Sequence, residues 1–237
     1  MTVNLKDRLA LVTGASRGIG RAVALGLAAA GAHVILVART VGALEDVDDE
    51  IQKLGGSATL VPLDLTDYEG LDRLGATLFE RWGKLDILVG NAGILGPLTP
   101  IGHVSPKEWD EVFAVNVTAN FRLIRSLDPL LRRSDAGRAI FVTSGAAQKC
   151  RPYWGAYSTT KAAMEAMVKT WAHETTKTDL RVNMLSPGPI ATKMRAKAMP
   201  GEDQALLATP ADLVPLFLQL ASADLTAHGE TFAFQRK

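Results

Sequence analysis

The stretch LALVTGASRGIGRAVALGLAAAG, Leu9 to Gly31, decides how this chain folds. It opens with a short apolar run, passes through a turn spaced by Gly14, Gly18 and Gly20, and closes on alanine, valine and leucine in a helical pattern. Strand, glycine turn and helix in that order begin a βαβ unit. Glycines without Cβ atoms let a diphosphate approach the backbone, while the helix start offers free N–H groups and a partial positive charge. Tight packing of the helix on the strand would also favour glycine, so the turn alone leaves both readings open.

Further apolar runs follow outward from this unit: HVILVAR, ATLVPLD, LDILVGNAG, RAIFVTS, LRVNMLSPG and TFAF. Helical patterns occupy LDRLGATLFERWG, PKEWDEVFAVNVTANFRLIRSLDPLLRR, WGAYSTTKAAMEAMVKTWAHETTK and PADLVPLFLQLAS, with Pro106 and Pro210 at first-turn positions. Continuous apolar strands separated by helices indicate a parallel sheet covered on both faces. The expectation is one α/β domain over 1–237, a doubly wound parallel sheet of Rossmann-like form with helices on both faces.

Composition limits the function classes. A chain of 237 residues, 47% hydrophobic and 22% charged, can bury one sizeable core. Its formal net charge is +1 and it has no basic run, which argues against nucleic acid or an anionic membrane as partner. No apolar stretch reaches the roughly 18 residues of a membrane span, and MTVNLKDRLALVTG runs from a few polar residues into the first strand, so a cytoplasmic location is expected. Cys150, the single cysteine, is expected to be a small buried hydrophobe. His33, His103, His173 and His228 lack acidic or sulfur neighbours at ligand spacing, and no metal site is expected.

Ligands of doubly wound sheets bind beyond the carboxyl ends of the strands, so the residues ending each run carry the functional reading. The second run ends at Ala38 and Arg39 where an NAD-preferring site would place an acid; Arg39, with Arg17 in the glycine turn, suits a ribose 2′-phosphate. Both arginines could equally be solvated. Asp64 ends the third run, placed for an adenine amino group or equally for a turn or helix cap. Asn91, Ala92 and Gly93 form a small-residue turn after the fourth. Later, AYSTTKAAM places Tyr157 four residues before Lys161, on one face of a helix. A fixed ammonium beside the phenol would lower its pKa from about 10 and ease proton exchange, whereas on a surface helix the lysine would simply snorkel to solvent.

TGASRGIG, NAG, Asn116 in FAVNVTANF, Ser144 in FVTSG, YSTTK and SPGPIAT together resemble the short-chain dehydrogenase/reductase family, in order and approximate spacing. The resemblance spans almost the whole chain and is closest in look to bacterial NADP(H)-dependent members of the 3-oxoacyl-carrier-protein reductase kind. It implies that Tyr157 is the acid/base, Ser144 orients the substrate oxygen, Lys161 holds the nicotinamide ribose and tunes the tyrosine, and Asn116 holds a water relay. The implied cofactor site comprises Gly14, Ser16, Arg17, Gly18, Ile19, Gly20, Arg39, Asp64, Leu65, Asn91, Ala92, Gly93, Tyr157, Lys161, Pro187, Gly188, Ile190 and Thr192.

The expected function is therefore hydride transfer between NADP(H), with NAD(H) second, and a small-molecule carbonyl or alcohol substrate. A catalytically silent NADP-binding sensor of the same fold, and a methyltransferase, are the rivals. Residues 193–209 form a short expected substrate lid, leaving the pocket open or finished by a neighbouring subunit. GAAQKCRPYWGAY, between the serine and tyrosine, is expected to line the mouth, where Lys149 and Arg151 could attract an anion or be merely solvated. Apolar residues on more than one stripe of the helices around Asn116 and Tyr157 suggest a homodimer or homotetramer.

Overall fold

The computed structural model describes residues 3–235; the ends of the expected domain, 1–2 and 236–237, lie outside the described residues. The elements run β1 (Leu9–Thr13), α1 (Gly18–Ala29), β2 (His33–Ala38), α2 (Val41–Lys53), β3 (Ser57–Pro62), α3 (Tyr68–Trp82), β4 (Ile87–Gly90), α4 (Pro106–Phe113), α5 (Ala119–Leu131) and β5 (Arg138–Val142). After these come α6 (Ala146–Lys149), α7 (Gly155–Glu174), β6 (Arg181–Ser186), α8 (Lys193–Ala198), α9 (Val214–Ala221) and β7 (Thr231–Ala233). Among the described residues seven strands pair in parallel, in the order β3-β2-β1-β4-β5-β6-β7.

That order follows from the residues. Inner strands such as β1 and β5 are buried along their whole length, as their largely apolar sequences require, with Thr13 and Arg138 the polar exceptions at their ends. Alternate side chains serve opposite faces: Ala10 and Val12 join α1, α2 and α9 through Val23, Leu44 and Phe217, whereas Leu9 and Leu11 join α3, α5 and α7 through Leu74, Leu123 and Val168. The edge strands differ. β3 is only partly covered and β7 has three residues, both ways of making an edge a poor template for further pairing.

Helix ends match the sequence signals where those exist. Ser105 and Glu108 cap α4 reciprocally with Pro106 in its first turn, and Asp67 accepts from Gly70 N at 2.9 Å to start α3. Two features depart from the expectation. Acidic residues crowd α2, whose only buried residues are Leu44, Val47 and Ile51, and this helix was absent from the sequence reading. The helix expected without interruption from Pro106 is broken by a π-helical turn, Ala114–Thr118, that contains Asn116. Among the described residues no helix is long and apolar enough to cross a membrane.

Candidate active site

The chain winds outward from β1 to β3, then returns to place β4 on the other side of β1. The crevice between the ends of β1 and β4 is the position where such sheets bind ligands. Thr13 stitches it together: its Oγ1 accepts from Asn91 N and Ala92 N, both at 3.1 Å, and Asn91 Nδ2 donates to Thr13 O at 2.9 Å. Gly20 faces this knot, and a Cβ there would lie 2.3 Å from Gly14 O and 2.5 Å from Asn91 Nδ2. Asn91 thus shapes the glycine turn through protein contacts.

Gly18 faces the other way. Its φ is 58°, and an added Cβ would touch only Thr192 Cγ2, at 3.7 Å, so the backbone at the start of α1 is lightly covered. Arg17 precedes it as an exposed residue in extended conformation. Arg39, with its side chain 69% exposed, lies 3.7 Å from Asp64 at the outer end of the same crevice. Asp64 Oδ1 accepts from Thr66 N at 2.8 Å and Thr66 Oγ1 at 2.7 Å, the contacts of a local turn; the cap of α3 is Asp67. These hydrogen bonds from Thr66 are the main cause holding the Asp64 carboxyl below its usual pKa. Leu65 and Ile190 place their side chains in the two cores, so a ligand would meet them through backbone; Ile19 packs partly against the same core as Ile190.

Tyr157 projects from the first turns of α7 with only 8% of its surface exposed. Burial pushes its phenol up to about 12, against an opposing hydrogen bond with Ser144. This reverses the expected lowering by Lys161. The Lys161 ammonium lies 5.8 Å from the centre of the tyrosine ring and donates to Val142 O at 2.7 Å. Spacing revealed the charged neighbour; burial, which opposes phenolate, was not visible in it. Burial also brings Lys161 down to about 8, partly offset by the charge of Glu165 one turn further along α7.

Asn116 is fully buried in the π-turn. Its Oδ1 accepts from Ile94 N at 2.8 Å, and its Nδ2 donates to Ile94 O at 2.9 Å and Thr160 Oγ1 at 3.1 Å. The side chain therefore holds the loop after β4 against α7. The Pro187–Thr192 segment closes the crevice from β6, with Gly188 at φ 69° and Thr192 capping α8 by accepting from Arg195 N at 3.2 Å.

Residues 193–209 are folded onto the site. Ala198 packs with Tyr157 and Leu95, with Trp154, Ala146 and Met199 around them, and Arg195 forms a two-pronged pair with Glu202 at 2.5 and 2.6 Å. Between this segment and α6 lies a cleft of about 150 Å³ bordered by Ser144, Gly145, Lys149, Trp154, Gly188 and Arg195. Cys150, expected to be buried, is exposed: it ends α6 in left-handed conformation with φ 42°, which turns its side chain away from the core.

Several contributors were missed in the sequence. Thr13 gave no signal, since threonine is common at strand ends. Trp154, edge-on to Tyr157 with centroids 6.0 Å apart, lies in the stretch expected to line the mouth, and it borders the cleft. Glu165 had a signal: an acid four residues after Lys161 on the same helix face. It is buried, accepting from Thr143 Oγ1 at 2.5 Å and from Gln148 Nε2 at 2.7 and 3.0 Å, and so ties α7 to the segment carrying Ser144.

The comparisons with known proteins agree with this architecture. The family model for short chain dehydrogenases matches residues 8–203. The uncharacterized oxidoreductase YciK of Escherichia coli K12 is 41% identical over 93% of this chain and 88% of its own, and the 3-oxoacyl-[acyl-carrier-protein] reductase of Synechocystis is 36% identical over 80% and 77%. A short chain dehydrogenase structure from Escherichia coli CFT073, complexed with NADPH, superposes with a TM-score of 0.93 at 40% identity, covering 100% of both chains. Family model, curated relatives and solved structures converge: this chain is an oxidoreductase of the short-chain dehydrogenase family.

Proposed function

We propose that the protein transfers hydride between NADP(H) and a carbonyl or alcohol substrate, with Tyr157 as acid/base. The observation that carries the reading is the buried Tyr157 phenol, hydrogen-bonded with Ser144 at the cleft and one helical turn from the buried Lys161. The fit of the cofactor rests on Gly18, where backbone at the start of α1 borders space that any side chain would fill. Gly14, Ser16, Arg17, Ile19, Gly20 and the Asn91–Gly93 turn would hold the diphosphate and adjoining ribose. Arg39 would meet a 2′-phosphate and Asp64 and Leu65 the adenine side, while Lys161, Pro187, Gly188, Ile190 and Thr192 would hold the nicotinamide end. The NADPH complex of the Escherichia coli CFT073 relative supports the phosphorylated form.

When bound, NADPH supplies the hydride that reduces the carbonyl carbon. Negative charge then grows on the substrate oxygen. Ser144 donates a hydrogen bond to that oxygen, and Tyr157, kept protonated at neutral pH by burial, gives it the proton. Lys161 stabilises the phenolate left behind, and Asn116 fixes the loop that faces α7. Residues 193–209 act as the lid, excluding water through the contact of Ala198 with Tyr157. Assembly as a homodimer or homotetramer belongs to the same proposal, supported by the exposed Phe121 on α5 and exposed Ala166 on α7.

The test is NADPH oxidation by the purified protein with and without a panel of aldehydes, ketones, β-ketoacyl thioesters and quinones. Carbonyl-dependent oxidation is expected. Tight NADPH binding without turnover of any substrate would instead assign a sensor.

A further inference from the structure

We propose that the cleft selects a carbonyl substrate bearing an acid group, carboxylate or phosphate, which Lys149 and Arg151 bind; this rests on the reductase reading above. Three cations border the cleft, Lys149, Arg151 and Arg195, and no carboxylate shares its lining. Arg195 already has its counter-charge in Glu202. Among the described residues no carboxylate pairs with Lys149 or Arg151, so two positive charges face the cleft uncompensated.

Both residues are exposed, and what singles them out is their position on the border of the cleft, within reach of a substrate entering it. Lys149 folds back over its own short helix: a Cβ built on Gly145 would lie 3.7 Å from its Cε and 3.9 Å from its Nζ, which brings the ammonium beside the residue that follows Ser144. Arg151 sits in a loop bracketed by two non-glycine residues at positive φ, Cys150 at 42° and Tyr153 at 73°. Left-handed backbone is uncommon for such residues, and for a bulky tyrosine it is an outlier that surrounding contacts must hold in place. Here Thr99 N donates to Tyr153 O at 3.1 Å and Trp154 N to Arg151 O at 3.2 Å. The loop thus returns to the cleft at Trp154, whose ring with Ala146 and Met199 supplies an apolar wall. An anion bound by Lys149 and Arg151 would place the substrate's apolar part along that wall and its carbonyl toward Ser144 and Tyr157.

The experiment compares 4-carboxybenzaldehyde, its methyl ester and 4-formylphenyl phosphate with the full-length protein. Two readouts are taken: kcat/KM with NADPH, and calorimetric affinity for each aldehyde with NADP⁺ present, where no hydride is available. At least one charged aldehyde should exceed the ester by about tenfold in both readouts, as expected for one charge-assisted contact, and the advantage should shrink as salt is raised. Lys149→Ala with Arg151→Ala should reduce the advantage to less than about twofold while moving the ester little. Whichever charged aldehyde wins names the acid group.

Equal handling of ester and both acids by the wild type, or equal loss of all three in the double variant, overturns the proposal. The two levels separate cleanly. Reduction of all three aldehydes without charge preference would sink the anion site and leave the reductase standing. Charge-selective binding that the double variant abolishes, with no NADPH oxidation by these aldehydes or by any carbonyl of the wider panel, would keep the anion site and remove the reductase.

Discussion

Where β4 begins, Asp86 is completely buried, and where β5 finishes, Lys161 is almost as deeply enclosed. The surroundings of these two charges differ in kind. Asp86 accepts from Ser134 Oγ at 2.6 Å, Leu9 N at 2.9 Å, Lys84 Nζ at 2.9 Å and Arg8 Nη1 at 3.1 Å, and Arg8 also reaches Asp135. Burial pushes its pKa up, but the hydrogen bonds from Ser134 and Leu9 and the charge of Lys84 win, holding the carboxyl below the usual range. Arg138, at the same end, spends its donors on carbonyls of Ser222, Gly137, Asp179, Ala223 and Leu225. At the opposite end, Lys161 has one carbonyl partner and a lowered pKa of about 8. Saturated charges lock a fold, whereas a buried charge with few partners is poised to change its protonation or to take a ligand.

The largest effect that could break this contrast is on stability. Asp86→Ala strips a buried network of its acid and leaves Arg8 and Lys84 without their shared partner, which should cost about 3–5 kcal/mol. Thermal unfolding should show the loss, with kcat per folded molecule unchanged. The same carboxyl sets an acid limit: its folded pKa lies below the unfolded value, so its contribution is complete above about pH 4 and disappears as pH falls through the folded pKa. The Asp86→Ala variant should therefore lose its stability deficit in strong acid.

Glu165 sharpens the other side. Its charge favours the Lys161 ammonium while its oxygens hold Thr143 and Gln148. Glu165→Gln keeps a side chain able to hydrogen-bond and removes the charge, so Lys161 should lose its proton at still lower pH. In the wild type the reductive kcat/KM should decline above about pH 8, where the ammonium is lost. In the variant that decline should begin roughly one unit lower. A profile that stays in place would reduce Glu165 to a structural clamp. For stability the slope has the same sign as for Asp86 but lies in an alkaline window: between about 8 and 10.5 the unfolded chain binds the lysine proton that the folded chain releases, so stability rises with pH there too.

The smallest expected effect lies at the exposed rim. Arg39→Ala combined with Ala38→Asp should shift the ratio of kcat/KM for NADPH over NADH by about tenfold, the worth of one charge-assisted phosphate contact plus the repulsion of a new acid. An unchanged ratio would place the adenosine end elsewhere. Sedimentation at micromolar concentration addresses assembly, with a fully active species near 25 kDa contradicting the oligomer.

The sequence carried the sheet better than the helices. The inner strands β1, β2, β4 and β5 are dominated by apolar residues, because they are buried on both faces and their pattern needs no tertiary knowledge. In α2 the signal was Leu44, Val47 and Ile51 alone, diluted by Glu45, Asp46, Asp48, Asp49 and Glu50. The π-turn at Asn116 depends on hydrogen bonds to Ile94 and Thr160, far away in sequence, and no local pattern announces it. At the candidate site the glycine turn, Ser144, Tyr157 and Lys161 were legible as spaced types. The wrong sign for the phenol, the exposed Cys150 and the unread Thr13 share one cause. Burial and backbone handedness are set by elements that meet only after folding.

The central claim is that proton transfer lives at the C-terminal edge, in Tyr157, and stability lives at the opposite edge. Tyr157→Phe removes one hydroxyl from a buried ring and leaves the rest of the side chain in place. Steady-state reduction of a turned-over carbonyl should fall by about 10²–10⁴-fold, with NADPH affinity and melting temperature close to wild type. Retention of more than about a tenth of wild-type kcat would contradict the assignment of Tyr157 as the general acid.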